Sequence, residues 1–250
     1  MSADGGPTSA VVARRSLRPL PSGSFKSDFA NPLVVAISFD LFGTLVDAAR
    51  PADPAAAVAA ELRERGVAVP DDWADAYAEV HIDAPEGAEV PLPAHVSAAL
   101  RSRGVDAPAN AARRAVVAAF DPEVRTRPGA AAAVAAAAER GPVGLFSNCS
   151  VPELVARTLI RSDVDRDAFG ATVSSVACGW RKPDPQAFET LAGRLDVAPE
   201  TLVHVGDNRY ADGGVSGVGG RFVDATETDF EAFADALRRG ASLSEFVSEA

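Results

Sequence analysis

Short apolar runs appear once near the start of this chain and repeatedly in its second half, and most of them end at a polar residue. These runs have the length and the residue types of buried strands. They are residues 33–40, 142–148, 171–176, 201–207 and 220–224. Helical stretches separate the later runs, and strands that alternate with helices are typical of a mostly parallel sheet. The pattern therefore predicts an α/β fold built on an open, mostly parallel sheet.

A long interval of about a hundred residues separates the first two predicted strands. A simple crossover between parallel strands needs only about a dozen. Asp53 and Asp71 are candidate N-caps within this interval. We predict an all-helical cap domain at residues 49–124, inserted into a core formed by residues 32–48 and 125–250. The predicted helices of the cap are residues 54–65, 71–81, 93–103 and 108–120.

Ring-bearing side chains are regularly spaced in the second of these predicted helices. Trp73, Tyr77 and His81 lie four residues apart and would share one helix face. Such a stripe either faces a substrate or packs against another helix. We favour packing, because large rings on an amphipathic helix are mostly buried.

Residues 1–31 are rich in Ser, Pro, Gly and Arg and have no apolar period, so we predict a flexible tail. Arg14 and Arg15 are similar to a twin-arginine signal, but no hydrophobic region follows them before Lys26. The apolar run that begins at residue 33 is too short to cross a bilayer. We therefore expect a cytoplasmic protein without a membrane partner.

The charge balance limits the partners of this chain. It carries 24 Lys and Arg against 35 Asp and Glu, a formal net charge of -11. Such a field repels phosphate backbones, so we expect no nucleic-acid partner. Among the basic residues, Lys26 and Lys182 are the only lysines. This acidic, Lys-poor composition favours a high-GC organism, and we hypothesise a salt-rich cytoplasm that screens the charge. Cys149 and Cys178 form neither a disulfide scaffold nor a metal-binding spacing.

Polar side chains lie at the carboxyl ends of three predicted strands. Asp40 ends the first strand, Ser147 and Asn148 end the second, and Asp207 ends the fourth. Because the carboxyl ends of parallel strands meet at one edge of the sheet, we expect these residues to converge on one crevice. Asp40 is followed by a tight Gly-Thr turn whose backbone N–H groups would point into that crevice.

Four short motifs occur in order along the chain, and together they resemble the haloacid dehalogenase (HAD) superfamily. The resemblance covers residues 33–224 and falls in the branch with a helical cap after the first strand. It implies a Rossmann-like sheet, an aspartyl ester intermediate and usually a Mg²⁺-dependent phosphatase. The motifs are Asp40-Leu-Phe-Gly-Thr-Leu45, Ser147-Asn148, Arg181-Lys182-Pro-Asp-Pro-Gln-Ala-Phe188 and His204-Val-Gly-Asp-Asn-Arg-Tyr-Ala-Asp212.

The resemblance implies roles for the charged residues of these motifs. Asp40 would be the nucleophile that attacks phosphorus, and Lys182 would neutralise the charge shared between Asp40 and the phosphoryl oxygens. Mg²⁺ would be bound by Asp40, Asp207 and the backbone carbonyl of Phe42. Asp212 would orient Lys182 or a metal-bound water.

The resemblance also implies a phosphate-binding set. Ser147 would hydrogen-bond the transferring phosphoryl group, assisted by Thr44 and by the backbone around Asn148. The expected substrate is a small phosphorylated metabolite. Its identity and the oligomeric state do not follow from the sequence.

Phe42 departs from the phosphatase pattern. Phosphatases that resemble this chain carry a second Asp at this position, where it protonates the leaving alcohol and later activates water. General acid–base catalysis typically contributes about 10²–10⁴-fold. We expect slow hydrolysis of ordinary phosphomonoesters unless the leaving group is good or the cap supplies another acid.

Two alternative functions remain open. The 2-haloacid dehalogenases have an aromatic residue at the position of Phe42, but they resemble Ser-x-Asn-x-x-Asp where this chain has Gly-Asp-Asn…Asp. A regulatory protein that kept the fold without activity is the other alternative.

Two further functions are disfavoured. Phosphonate-cleaving relatives require a cap lysine, and no lysine lies between Asp40 and Lys182. The glycines at 213–220 follow an acidic strand end and do not open a phosphate-binding turn after the first strand, which argues against a dinucleotide site.

Overall fold

A six-stranded sheet lies at the centre of the part of the chain that the computed structural model describes, residues 35–108 and 110–248. Its strands lie in the spatial order 171–174, 143–147, 36–39, 202–206, 221–224 and 247–248. All neighbours are parallel except the last pair. In chain order the strands of the structure are Ala36–Phe39 (β1), Val46–Ala48 (β2), Val124–Thr126 (β3), Val143–Ser147 (β4), Ala171–Ser174 (β5), Leu202–Gly206 (β6), Arg221–Asp224 (β7) and Val247–Ser248 (β8).

Helices cover both faces of this sheet, which confirms the predicted α/β fold with a Rossmann-like parallel core. On one face Ile37 and Leu145 are buried with helix residues 130–138 and 230–238, and on the other Ala36 and Phe146 are buried with residues 185–195. This alternation is expected of a strand with two buried faces. The helices are Pro54–Glu64 (α1), Trp73–Ala78 (α2), Leu92–Ser102 (α3), Ala111–Ala119 (α4), Ala130–Ala138 (α5), Leu154–Arg161 (α6), Ser175–Cys178 (α7), Pro185–Leu195 (α8) and Phe230–Arg238 (α9).

Helices α1 to α4 form one packed group between β2 and β3. Val58, Leu62, Leu100 and Val116 are fully buried in this group. β2 and β3 pair with each other in an antiparallel ribbon, so the chain leaves the core and returns to it at the same place. The four predicted helices of the insertion are therefore present, while the domain boundaries at 49 and 124 remain a prediction.

The N-cap prediction holds for one of the two acids. Asp53 caps α1, since its side chain accepts a hydrogen bond from the N–H of Ala56 at 2.9 Å. Asp71 does not cap α2, because that helix begins at Trp73, two residues later than predicted, with Asp72 at the N-cap position. The Asp72 carboxylate itself binds Arg103 at 2.7 Å and does not cap the helix by a side-chain hydrogen bond.

The predicted stripe of rings is only partly helical, because α2 ends at Ala78 and leaves His81 outside it. Trp73 is buried and its indole N–H donates to the carbonyl of Ala55 at 2.8 Å. Tyr77 and His81 both pack against the ring of His95 on α3. This packing agrees with the interpretation that these rings join helices of the insertion.

Three strands were missing from the sequence prediction. β2, β3 and β8 have at most three residues each and are largely half-exposed or exposed. Such short segments lack an apolar pattern and form because a partner strand is adjacent. The predicted strand at 171–176 also ends early, because α7 begins at Ser175.

The N-terminal tail predicted at residues 1–31 lies outside the described residues. Within residues 35–108 and 110–248, no helix has the length and apolar character needed to cross a membrane.

Candidate active site

A crevice of about 870 Å³ opens at the carboxyl ends of β1, β4 and β6. It brings together most of the residues that the four sequence motifs supply. Asp40 follows β1, is nearly buried, and fixes its backbone by donating its N–H to the carbonyl of Val205 at 2.9 Å. Of the predicted site residues, those that line the crevice are Asp40, Phe42, Ser147, Asn148, Lys182, Asp207 and Asp212.

The ammonium group of Lys182 lies at the buried end of this crevice, where the residue is 2% exposed. Its Nζ is 2.8 Å from Asp40 Oδ1, 2.5 Å from Asp212 Oδ1 and 2.8 Å from the carbonyl oxygen of Phe146. Burial lowers the pKa of Lys182, but the two carboxylates outweigh burial and raise the pKa above its ordinary value. Lys182 is therefore a cation throughout the neutral pH range.

The pKa of the Asp40 carboxyl group is set by opposing effects. Burial raises its pKa to about 6, Lys182 acts in the lowering direction, and the charges of Asp212 and Asp207 add to the increase. Asp40 is mostly ionised at neutral pH, so it can act as a nucleophile without a separate base.

Asp212 is buried beside Lys182 and has both carboxylate oxygens hydrogen-bonded. Oδ1 is 3.2 Å from His204 Nε2, and Oδ2 accepts from the N–H of Asn208 at 3.0 Å. Burial raises the pKa of Asp212, but Lys182 and His204 outweigh burial and hold it well below its ordinary value. Gly206 permits this arrangement, because a Cβ there would overlap the Asp212 side chain.

Asp207 differs from Asp212 in that it forms no ion pair with a residue that the structure describes. Among the described residues, no Lys, Arg or His nitrogen lies within ion-pair distance of its carboxylate. Burial, followed by the charge of Asp212, raises the pKa of Asp207 above its ordinary value. The hydroxyl of Thr44, which we expected to meet the phosphoryl group, is fully buried and instead donates to Asp207 Oδ1 at 3.3 Å.

The donor set fits a hard divalent cation. Asp40 Oδ2, the Asp207 carboxylate and the Phe42 carbonyl would supply oxygen ligands to such a cation, and the Phe42 carbonyl accepts no hydrogen bond from the described residues. Gly43 lets the turn lie close to Asp207, since a Cβ at Gly43 would overlap that carboxylate. The described residues contain no group of three or more His, Cys, Asp or Glu side chains suited to a metal, so a cation bound here would need the backbone carbonyl as a ligand.

The two residues after β4 have different surroundings. Ser147 is buried at the crevice wall, and its hydroxyl makes no hydrogen bond to the described residues. The side chain of Asn148 binds the backbone of Lys182 instead of facing a ligand, with both hydrogen bonds at 2.8 Å. A phosphoryl group therefore has the Ser147 hydroxyl and the backbone near Asn148 available.

Sequence comparison decides the family of this chain. Residues 34–212 match the sequence profile of the haloacid dehalogenase-like hydrolases. The chain belongs to this hydrolase family. No curated protein matches the sequence significantly.

Solved structures of this family share the fold of the hydrolase. A 2-haloacid dehalogenase from Pseudomonas syringae pv. Tomato DC3000 gives a TM-score of 0.54 at 18% identity, covering 84% of this chain and 100% of its own. CbbY from Rhodobacter sphaeroides in complex with phosphate gives 0.52 at 21% identity, with 82% and 96% covered. A CbbY mutant in complex with xylulose-(1,5)bisphosphate gives 0.51 at 22% identity, with 79% and 91% covered. At these identities the likeness shows the fold.

A segment of the helical insertion reaches the crevice of this hydrolase, although no sequence pattern predicts it. Ala88 and Trp180 form an isolated antiparallel bridge. The N–H of Glu89 donates to the carbonyl of Gly179 at 2.8 Å, and the N–H of Arg181 donates to the carbonyl of Gly87 at 3.0 Å. We call residues 86–92 the strap, because these bonds fasten the insertion to the backbone next to Lys182.

The strap brings two acids to the crevice wall. Glu86 is exposed, while Glu89 is partly buried and accepts a hydrogen bond from the hydroxyl of Ser175 at 2.5 Å. Gly87 is required at the crossing point, because it has a φ of 79° and a Cβ there would overlap Asp184. The insertion therefore contributes the carboxylates of Glu86 and Glu89 to the crevice wall.

The arginines near the crossing between core and insertion divide into different roles. Arg50 and Arg181 line the crevice of the hydrolase. Arg127 does not, since its Nη1 donates to the carbonyls of Gly43 and Thr44 at 2.6 and 3.3 Å. Arg127 therefore supports the turn that follows Asp40 and does not reach a substrate.

Proposed function

We propose that this hydrolase is a Mg²⁺-dependent phosphatase that acts on a small phosphorylated metabolite through an aspartyl-phosphate intermediate. The observation that carries the proposal is the pair of carboxylates formed by Asp40 and Asp207. Both line the crevice, burial raises the pKa of each, and among the described residues Lys182 forms an ion pair with Asp40 but not with Asp207. Two such acids beside a free backbone carbonyl call for a bound divalent cation.

The residues support a double displacement. A carboxylate oxygen of Asp40 forms a bond to phosphorus, and the bond between phosphorus and the leaving-group oxygen breaks. Lys182 balances the charge on Asp40 and on the phosphoryl oxygens, and the Ser147 hydroxyl donates to one of those oxygens. Water then attacks the aspartyl phosphate, which releases inorganic phosphate and returns Asp40 as a carboxylate. Mg²⁺ held by Asp40, Asp207 and the Phe42 carbonyl would stabilise negative charge at the phosphoryl group.

Phe42 shapes the expected substrate range. The leaving alcohol departs as an alkoxide and needs a proton that a phenyl ring cannot give. Esters whose alcohol is a good leaving group are therefore expected to react faster than simple alkyl phosphates. Glu89 on the strap is the described acid of the insertion best placed to offset this loss, because it is partly buried in the crevice wall.

A 2-haloacid dehalogenase is the second candidate, favoured by the aromatic Phe42. In that reaction Asp40 displaces halide from carbon, and the resulting ester is cleaved by water without a metal. The fold alone does not separate the two reactions, because a dehalogenase and CbbY resemble this chain about equally. Asp207 is the discriminating residue, since a carboxylate that forms no ion pair with the described residues suits the metal-dependent reaction.

The test is an assay of the full chain against an aryl phosphate and 2-chloropropionate, each with Mg²⁺ or EDTA. We expect phosphate release that needs Mg²⁺ and is lost in Asp40→Asn and Asp207→Asn. Asp163→Asn is the matched control, because Asp163 is exposed and its side chain has no partner among the described residues. Halide release in EDTA would replace the proposal by the dehalogenase, and inactivity in every condition would favour a regulatory protein.

The same assay in low and in molar KCl tests the hypothesis of a salt-rich cytoplasm. Screening of the net charge of -11 is expected to raise both the stability and the turnover of the protein. Stability that is independent of salt would contradict this hypothesis without affecting the assignment of the reaction.

A further inference from the structure

His204 is a buried titratable residue to which the proposed reaction gives no part. It lies on β6, is fully buried, and does not line the crevice. Its ring packs edge-to-face against Phe188 with the centroids 5.4 Å apart. Both ring nitrogens meet polar groups, because Nδ1 is 2.8 Å from Ser38 Oγ and Nε2 lies near Lys182 and Asp212.

All three hydrogens of the neighbouring Lys182 ammonium are donated to oxygen acceptors. Lys182 Nζ carries three, and three oxygen acceptors lie 2.5 to 2.8 Å from it. His204 Nε2 is a fourth neighbour, at a longer distance of 3.3 Å. Lys182 therefore has no hydrogen left to donate to this ring nitrogen.

The contact of Nε2 with Asp212 shows whether this nitrogen carries a hydrogen. Asp212 Oδ1 lies 3.2 Å away, and an unprotonated Nε2 would set a lone pair against that carboxylate oxygen. A hydrogen on Nε2 turns the same contact into a hydrogen bond to a charged acceptor. The ring is therefore the Nε2–H tautomer, provided that Nδ1 is an acceptor.

The Ser38 hydroxyl meets that condition. Ser38 is fully buried on β1, and its Oγ lies 2.8 Å from Nδ1, where it can donate its hydrogen. A doubly protonated ring would instead put a second cation 3.3 Å from the Lys182 ammonium. Burial, followed by the charge of Lys182, accordingly lowers the pKa of His204.

We propose that Ser38 and His204 are positioning residues for Lys182. Ser38 donates to Nδ1 and holds His204 as the neutral Nε2–H tautomer. The Nε2–H donates to Asp212 Oδ1 and fixes the carboxylate that orients the Lys182 ammonium toward Asp40. The effect on turnover rests on the proposed phosphatase function, whereas the hydrogen-bond chain itself does not.

The composition of the chain makes this arrangement directly measurable. His81, His95 and His204 are its three histidines, and Lys26 and Lys182 are its only lysines. In the full chain labelled with ¹⁵N-histidine, a long-range ¹H–¹⁵N spectrum should show His204 with a protonated Nε2 and an unprotonated Nδ1 at neutral pH. In the chain labelled with ¹⁵N-lysine, Lys182 should give a slowly exchanging ammonium signal, assigned by comparison with Lys26→Arg.

Three variants separate positioning from packing. His204→Gln keeps an N–H donor near the place of Nε2, whereas His204→Phe keeps only the ring shape. We expect His204→Phe to change the Lys182 ammonium signal and to lower kcat for an aryl phosphate by about 10–100-fold with little change in KM. His204→Gln should keep most of the turnover. Ser38→Ala removes one hydroxyl and should shift the Nδ1 resonance.

His95→Gln is the matched control, because the Nε2 of His95 also meets an oxygen, the carbonyl of Tyr77 at 2.8 Å, but lies in the insertion. It should leave the Lys182 signal and kcat unchanged. An Nδ1–H tautomer of His204 in the wild type would overturn the inference, as would a Lys182 signal that is the same in His204→Phe and the wild type. If His204→Phe does not fold, the wild-type tautomer and Ser38→Ala decide. An inactive wild type would count against the phosphatase and leave the two spectra to decide this inference.

Discussion

The side chain of Asn148 and the backbone of Lys182 bind each other through two hydrogen bonds. The N–H of Lys182 donates to Asn148 Oδ1, and Asn148 Nδ2 donates to the carbonyl of Lys182, each at 2.8 Å. Asn148 follows β4 and Lys182 precedes α8, so the pair fixes the backbone from which the lysine side chain reaches Asp40. An amide side chain is required, because it both accepts and donates.

Substitution of Asn148 tests the importance of this pair. Asn148→Ala removes both hydrogen bonds, and Asn148→Asp keeps the acceptor but loses the donor. We expect kcat for an aryl phosphate to fall about 10–100-fold in Asn148→Ala, because Lys182 is no longer held in place. The KM should change less. Steady-state kinetics check this expectation, and full activity of Asn148→Ala would show that the pair is only structural.

Gly43→Ala adds a single methyl group and tests the proposed metal site. Gly43→Ala places a Cβ on the Asp207 carboxylate at a position where φ is 86°. We expect the variant to lose Mg²⁺-dependent turnover by about 10²-fold or more, because Asp207 must move. Gly66→Ala is the control, since φ is 71° there and a Cβ meets nothing within 4 Å.

The two glycine variants share the cost of a positive φ, roughly 1–2 kcal/mol of stability. Urea unfolding should therefore show that both variants lose a similar amount of stability from the positive φ. Only Gly43→Ala should also lose activity. Equal activity losses in Gly43→Ala and Gly66→Ala would contradict the role given to the Gly43–Asp207 contact.

Arg127 and Arg125 form a matched pair two residues apart. The Arg125 side chain is 82% exposed and meets Asp47 at 3.4 Å, whereas Arg127 donates to two buried-turn carbonyls. We expect Arg127→Ala to cost about 1.5–3 kcal/mol of unfolding free energy, since two carbonyls lose a charged donor. Arg125→Ala should change stability by less than about 0.5 kcal/mol. The reverse order in chemical denaturation would refute this assignment.

Because the pKa of Asp40 is raised, we expect Asp40→Asn to gain stability relative to the wild type as the pH rises. In the metal-free protein the pKa is about 6 in the folded state against an ordinary value of 3.8. Between these values the folded state binds more protons than the unfolded state, so the contribution of Asp40 to stability falls as pH rises. In Asp40→Asn the side chain does not ionise, so its contribution to stability does not fall as the pH rises.

The unfolding free energy of Asp40→Asn minus that of the wild type should therefore rise by about 1 kcal/mol from about pH 5 to about pH 8. Urea titrations in EDTA measure this difference, in which the contributions of groups that do not interact with Asp40 cancel. A difference that stays constant or decreases over this range would show that the Asp40 pKa is not raised.

Phe42→Asp supplies a general acid two residues after Asp40, at the position where the proposed phosphatase reaction lacks one. We expect turnover of alkyl phosphates to increase more than turnover of aryl phosphates, because poor leaving groups depend most on protonation. The gain is expected within the range of about 10²–10⁴-fold that general acid–base catalysis supplies. Comparison of the two substrate classes in one preparation measures it. Equal gains would show that the missing acid does not limit the reaction.

Local patterns in the sequence were sufficient for the framework of the site. A buried apolar run that ends in an acid predicts both a strand and the position of that acid at its carboxyl end, as for Asp40 and Asp207. Asp53 was found as an N-cap for the same reason, since capping involves residues only three positions apart. Such features depend on neighbours in the chain, so the chain order reveals them.

Tertiary structure decided the features that depend on partners distant in sequence. The strap bridge between Ala88 and Trp180, the ribbon of β2 with β3 and the use of the Asn148 side chain each join segments far apart in the chain. The sequence determined that an acid-lined crevice with one lysine would form, because strand ends and motifs are local. Only packing determined which hydrogen goes to which acceptor around Lys182, because those contacts come from separate strands that meet only in the folded protein.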